Sequence, residues 1–435
     1  MTAELLDPGG WQEFDTLCRN AVGPLEVAAG LEAAGLSDRL VRQRYGYADV
    51  FALGERMYAD TERRPDTPPP PDPPWRPRPG RHLLRGALFA LPGLCVLGGA
   101  PALGGGGPWR LLLALGLPAS WGVAQCLAAL GYTRPFANAG LLRWGLLAGT
   151  VLAVLAALAG VLALPAGRPL VLFTAAQAEY LLAATVLLVR EGEWWLVTAL
   201  VPAAGAGGLA LAGPLPPGAA LAGAGVSLAA VAVLAWVRTR GARPSRPTRR
   251  EWRIAVPHGL AGTLAGGLVG FGAVAGGRDA AGFAMAALPL SVSMGPAEWL
   301  LVAYRRRTAT LLHATTRLPD FARRARRALL AALCAYLATL AGLEAGLAAL
   351  GGELGVLAVA GQVLLGGLLF VALGLLATGQ TRTVMAVMSA ALSGEHTFVA
   401  DRWPADLAQV AAVGGACGLL LGYGLRAFGR PTTHE

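Results

Sequence analysis

The chain has 435 residues, of which 55% are hydrophobic and only 14% charged, with a mean hydropathy of +0.53. That composition excludes a set of water-soluble domains and makes the bilayer the expected solvent. The net charge of +10 comes from 36 basic residues, all of them arginine. They fall between apolar runs and form no continuous face with interleaved aromatics, which argues against a nucleic-acid partner.

Residues 1–62 read as a small cytoplasmic helical module. Trp11, Phe14 and Leu17 share one helical face, and Leu25, Ala28, Leu31 and Leu36 mark a second amphipathic stretch. Ser37 and Asp49 precede apolar-periodic segments as N-caps, the second opening a helix with Val50, Leu53 and Met57 on one side. No signal peptide is expected, because the N-terminal sequence lacks a short apolar core with a cleavage site. Residues 63–82 form a proline-rich linker, where fixed φ angles and missing amide donors favour an extended spacer.

From residue 83 the apolar runs reach spanning length, since about 20 residues cross a hydrocarbon core of about 30 Å. Twelve spans are predicted, at 83–104, 109–132, 141–164, 169–189, 193–213, 216–237, 254–277, 281–304, 328–350, 354–378, 382–398 and 406–428. The eleventh is short and polar at its end (Glu395, His396, Asp401, Arg402), so a re-entrant segment is an alternative there. The fold class is therefore an all-α polytopic transmembrane bundle.

Loop charge tests this topology independently. With the N-terminus inside, the cytoplasmic side receives Arg134, Arg143, Arg190, Arg382, seven arginines from Arg238 to Arg253 and eight from Arg305 to Arg327. The other side receives only Arg110, Arg168, Arg278 and Arg402. The expectation is a multi-pass protein of the inner membrane with both termini cytoplasmic. A first half (83–237) and a second half (254–428) flank a basic loop (238–253), and a tail (429–435) follows. Such a division suits transporters built from repeated halves.

Ionisable groups inside spans are costly and mark candidate sites. Glu179, near the middle of the fourth span in Gln177-Ala-Glu-Tyr180, is read either as a protonatable or cation-binding group or as a neutral carboxyl hydrogen-bonded within the bundle. Glu298 lies in the basic-side half of the eighth span, where its simplest role is a charge pair with the Arg305 cluster. Glu344 ranks below Glu179 because it lies toward the outer end of its span. Gln125 and Gln362 are substrate candidates or interhelical hydrogen-bonding groups. Pro92-Gly93 and Gly295-Pro296 are candidate unwound points. Arg305, Arg306, Arg307, Arg323, Arg324, Arg326 and Arg327, interspersed with apolar residues, read as a membrane-surface segment facing membrane lipid or as a plain topology determinant.

No metal site and no cofactor are expected: four of the five cysteines lie in apolar runs, the histidines are scattered, and no phosphate loop, nucleophile elbow or His-Glu-x-x-His occurs. Very short non-cytoplasmic loops leave little room for paired catalytic groups, so the chain is read as a non-enzyme.

Twelve spans, a basic centre and Leu288-Pro-Leu-Ser-Val-Ser293 followed by an Arg-rich loop resemble the multidrug/oligosaccharidyl-lipid/polysaccharide exporter superfamily, which includes polysaccharide flippases. The resemblance covers residues 83–428. It implies alternating access of two six-helix lobes and export or flipping of a lipid-linked saccharide. A pyrophosphate-bearing substrate would require cations in the cavity, and arginine is nearly absent from the span interiors. The segment Gly131-Tyr-Thr-Arg-Pro-Phe-Ala-Asn138 lacks the loop motif usual in the major facilitators. The alternative is a non-transporting membrane scaffold whose residues 1–62 recruit a cytoplasmic protein partner such as a polysaccharide synthase.

Overall fold

A computed structural model describes residues 14–61, 78–103, 107–164, 167–315, 317–350 and 355–430. They fall into two compact units, one within residues 1–72 and the other within 73–435.

The first unit is four short helices, α1 (Asp15–Asn20), α2 (Pro24–Ala33), α3 (Asp38–Arg44) and α4 (Val50–Asp60). Its core joins Cys18, Val27, Leu31, Val41, Val50, Leu53 and Met57. Asp49 caps α4 by accepting from the Ala52 amide at 2.8 Å, whereas the Ser37 side chain makes no cap hydrogen bond. Ala28, Leu31 and Leu36 are buried as the periodicity requires, but Leu25 lies on the surface. Trp11 and most of the proline-rich linker lie outside the described residues.

The second unit is a bundle of twelve helices. The first half comprises α5 (Pro79–Leu103), α6 (Gly107–Thr133), α7 (Ala139–Ala163), α8 (Arg168–Val189), α9 (Glu193–Leu211) and α10 (Pro217–Thr239). The second comprises α11 (Arg249–Ala275), α12 (Ala280–Ala314), α13 (Leu318–Ala349), α14 (Val356–Leu376), α15 (Thr381–Ala400) and α16 (Ala405–Ala427). Eleven of these are long and apolar enough to cross a membrane; α15 is the exception, by composition. It is nonetheless one continuous helix of 20 residues, about 30 Å long. It does not turn back on itself, so the re-entrant alternative is not what forms. Its polar end is accommodated because Glu395 points into the bundle.

Two further expectations are corrected. Pro92 and Pro296 lie inside continuous helices. Gly295 does not unwind α12; it lets α12 approach α5, and a Cβ there would come within 3.0 Å of the Gly86 Cα. The eighth and ninth spans also run past their predicted ends, because no helix breaker interrupts residues 297–314 and α13 starts at Leu318.

The two halves are built alike. Within the first, α5 packs on α9 and α10, α6 on α7 and α8, α8 on α7, α9 and α10, and α9 on α10. Replacing each helix by the one six places later gives pairs that all pack in the second half, whereas the smaller α7–α10 contact of the first half has no counterpart of that extent. The halves then meet along two seams, α5 with α12 and α6 with α11, which the same exchange interconverts. This is the arrangement of parallel repeats about an axis along the membrane normal.

Both seams depend on missing side chains. On α6–α11, a Cβ at Gly262 would come within 2.9 Å of the Trp121 carbonyl oxygen, and one at Gly266 within 2.8 Å of the Pro118 Cα. On α5–α12, a Cβ at Gly86 would meet the Val292 carbonyl oxygen at 2.6 Å. Backbone cannot step aside as a flexible side chain can, so Gly262→Leu is expected to lower the melting temperature of the detergent-purified protein by at least a few degrees. Gly225→Leu, with nothing within 4 Å of its Cβ, leaves it unchanged. Equal effects of the two substitutions in a thermal-shift measurement would refute close packing of this seam.

Candidate functional site

The first two turns of α5 carry Arg81, His82 and Arg85, which meet carboxylates from two other helices. Glu193 opens α9, where the helix dipole favours a negative charge, and is only 5% exposed. Arg81 donates through Nε at 2.8 Å, and Arg85 through Nε at 2.9 Å and Nη2 at 2.6 Å, to the same Glu193 Oε1. Arg81 also reaches the exposed Glu191 at 3.3 Å. Across the seam, Arg85 Nη1 donates to Glu298 Oε1, while His82 Nδ1 lies 3.4 Å from Glu298 Oε2. Arg85 thus joins a carboxylate of its own half to one of the other half. The Tyr132 hydroxyl, at the end of α6, is within electrostatic reach of both Arg85 and Glu298.

Glu298 was expected to pair with the arginines that follow it on its own helix. It pairs instead with α5, because at its position α12 faces the seam. The other seam is fastened at the same end, again by an arginine of the first half and a carboxylate of the second: Arg134, just past α6, donates to Glu251 of α11 through Nε at 2.5 Å and Nη2 at 2.9 Å. Glu251 also closes a capping box with Thr248. One Arg–Glu pair therefore closes each seam on the arginine-rich side.

The α5–α12 seam also carries an apolar cleft of 320 Å³, lined by Leu83, Ala87, Leu91, Leu94, Leu288 and Val292 among others, on a different face of α5 from Arg81 and Arg85. A non-polar cleft of this size suits an apolar chain.

The other predicted residues do not gather at this cleft. Glu179, half-buried, accepts from Thr150 Oγ1 of α7 at 2.9 Å on both oxygens, so its hydrogen bonds stay within the first half. Gln177 is also half-buried on α8. Gln125 is exposed beside Gly262 on the α6–α11 seam. Gln362, 4% exposed, belongs to a different place, the interior of the second half.

That interior holds the most unusual polar groups of the chain. Glu395 is 0% exposed and neither of its carboxyl oxygens has a hydrogen-bond partner among the described residues. Gln362 Oε1, Gln409 Nε2 and both oxygens of Glu344 are likewise buried and unpartnered. The Gln409 amide is wedged between α11 and α14: its Oε1 would lie 3.0 Å from a Cβ at Gly272 and 2.9 Å from one at Gly361. Glu395 lies on α15 between Gly394, which faces Ala412 of α16, and His396, whose ring is tilted by 58° at 5.0 Å from that of Phe271 of α11. Arg278, paired with Asp406 at 3.3 Å, is within electrostatic reach of Glu344. The burial period of α15, Val384, Met388, Ala391 and Glu395, is legible in the sequence and puts Glu395 inside; Gln409 has no comparable signal.

No family model and no curated protein matches this chain. Solved structures do. A multidrug resistance MATE family transporter of the MOP superfamily, in its outward-facing conformation, is 15% identical, with 81% of this chain and 97% of that one covered and a TM-score of 0.50. MATE in complex with MaD3S (14% identity, 80% and 97% covered) and with MaL6 (13%, 80% and 97%) also gives TM-scores of 0.50. The chain has a MATE-like fold. At these identities the likeness is one of fold alone.

Two stability measurements test the site. Glu193→Gln leaves Arg81 and Arg85 short of a buried partner and lowers the melting temperature clearly more than Glu191→Gln, whose carboxylate is solvated. Glu395→Leu removes an unpartnered buried carboxyl group and raises the melting temperature, the behaviour of a group retained for function and not for folding. A strong loss of stability in Glu395→Leu would show that it has a structural partner.

Proposed function

We propose that this chain is a membrane transporter that moves an anionic amphiphile, of which a lipid-linked saccharide is one kind, across the bilayer by alternating access of its two halves. The observation that carries this reading is the α5–α12 seam itself, which holds an apolar cleft and, on another face of α5, the guanidinium groups of Arg81 and Arg85. The sequence offered few interior cations for a phosphate-bearing head group; the fold supplies them by setting the first turns of α5 between the halves. Glu298 occupies the guanidinium of Arg85, so a phosphate group arriving there exchanges for Glu298 and loosens the seam as it binds.

One MATE structure of similar fold is described as a multidrug resistance transporter in its outward-facing conformation, which supports the transporter reading. Ion pairs at one end of both seams fit a state closed on that side. Glu395, in the interior of the second half, is the better candidate for coupling to an ion gradient than Glu179, because Thr150 already satisfies Glu179.

Native mass spectrometry of the protein purified with its own lipids tests the substrate class. An anionic amphiphile beyond the bulk phospholipids is expected to remain bound, and to be lost from Ala87→Trp, which fills the cleft, and from Arg81→Ala/Arg85→Ala. Retention of no such molecule, or its indifference to both variants, would remove this reading.

A further inference from the structure

The internal repeat provides its own control for what the bundle needs. The counterparts α6 and α12 have 27 and 35 residues, and α7 and α13 have 25 and 32. In the first half the chain leaves α6 at Thr133, beside the Arg134–Glu251 pair, and enters α7 at Ala139. In the second half α12 passes the equivalent Glu298 and continues to Ala314, about 24 Å of further helix. Helix α13 begins at Leu318 and runs back alongside it. The added length is a helical hairpin that the repeat does not require.

Its composition is one-sided. Between Trp299 and Arg327 there are eight arginines and a single acidic residue, Asp320, which is paired with Arg323 at 2.5 Å. The hairpin is amphipathic: Tyr304, Thr308, Phe321, Ala325 and Leu329 are buried, while Arg306, Arg307, Arg323, Arg324, Arg326 and Arg327 are exposed. A rigid buried face holds these guanidinium groups in fixed positions.

Their depth is set by contacts with the rest of the bundle. Arg326 Nε donates to the Leu425 carbonyl at 2.8 Å, and Tyr304 packs edge-on against Phe428, so the arginines lie level with the end of α16. One turn further along α13 the exposed residues become apolar, Leu330 and then Cys334. The arginines therefore sit where the chain-facing surface stops, at the depth of lipid phosphate groups.

We infer that the α12–α13 hairpin is a binding collar for anionic phospholipid head groups of the adjoining leaflet. The collar is selective for charge at the phosphate plane, distinct from the general arginine excess of the α10–α11 loop, and independent of whether the chain transports an amphiphile.

Native mass spectrometry of the full chain, with phosphatidylglycerol and phosphatidylcholine added in equal amounts, tests it. Phosphatidylglycerol is expected to be retained preferentially, and that preference to fall by about ten-fold or more in Arg306→Gln/Arg307→Gln/Arg324→Gln/Arg327→Gln. Removing the same charge from the loop, in Arg240→Gln/Arg243→Gln/Arg246→Gln/Arg250→Gln, leaves it intact. The inference is overturned if the native protein retains both lipids alike, or if the loop variant loses the preference as fully as the hairpin variant. Loss of an unrelated anionic amphiphile bound at the α5–α12 cleft would follow neither variant.

Discussion

A charge held between two halves of a membrane protein must be paired there, and the pairing constrains how the halves are able to move. Arg85 and Arg134 each reach across a seam to a carboxylate, Glu298 and Glu251, at the same end of the bundle. Separating either seam at that end exposes a guanidinium and a carboxylate that the apolar surroundings do not solvate. Such separation becomes accessible only when water or a charged ligand takes the partner's place. The glycines along the seams bring the backbones close enough for these short side-chain bridges to form, so packing and electrostatics fix the same geometry.

The rest of the membrane unit follows from that constraint. Arg85 is held on its other side by Glu193, so α5 remains with its own half when Glu298 leaves. The apolar cleft lies on the same two helices, which places any bound chain against the pair that must part. The interior of the second half is built differently. There both oxygens of Glu395, Gln362 Oε1 and Gln409 Nε2 are enclosed with no hydrogen-bond partner among the described residues, an expensive arrangement for a region that serves only to pack.

Much of this was legible in the sequence. The apolar run lengths gave the number of the helices and their approximate bounds, because they express the thickness of a bilayer. Asp49 gave a true cap because a short polar side chain before an apolar helix has one favourable use. The misreadings share a cause. Glu298 and the Gly295-Pro296 pair were assigned roles from their own helix, whereas their neighbours are on α5, more than two hundred residues earlier in the chain. Arg81 and His82 were assigned to the end of the linker, although α5 already starts at Pro79, because hydropathy averages them with the prolines before them. Gln409 gave no signal at all: its setting is made by two glycines on other helices, which no local pattern records.

The central claim is that the two Arg–Glu pairs latch both seams on the arginine-rich side. Distances between spin labels at the basic-side ends of α7 and α13, on a background without the five native cysteines, test it directly. The account predicts a longer and broader distance distribution in Glu251→Gln/Glu298→Gln than in the parent protein, with no widening for labels at the opposite ends of α8 and α14. An unchanged distribution at the basic side would contradict it.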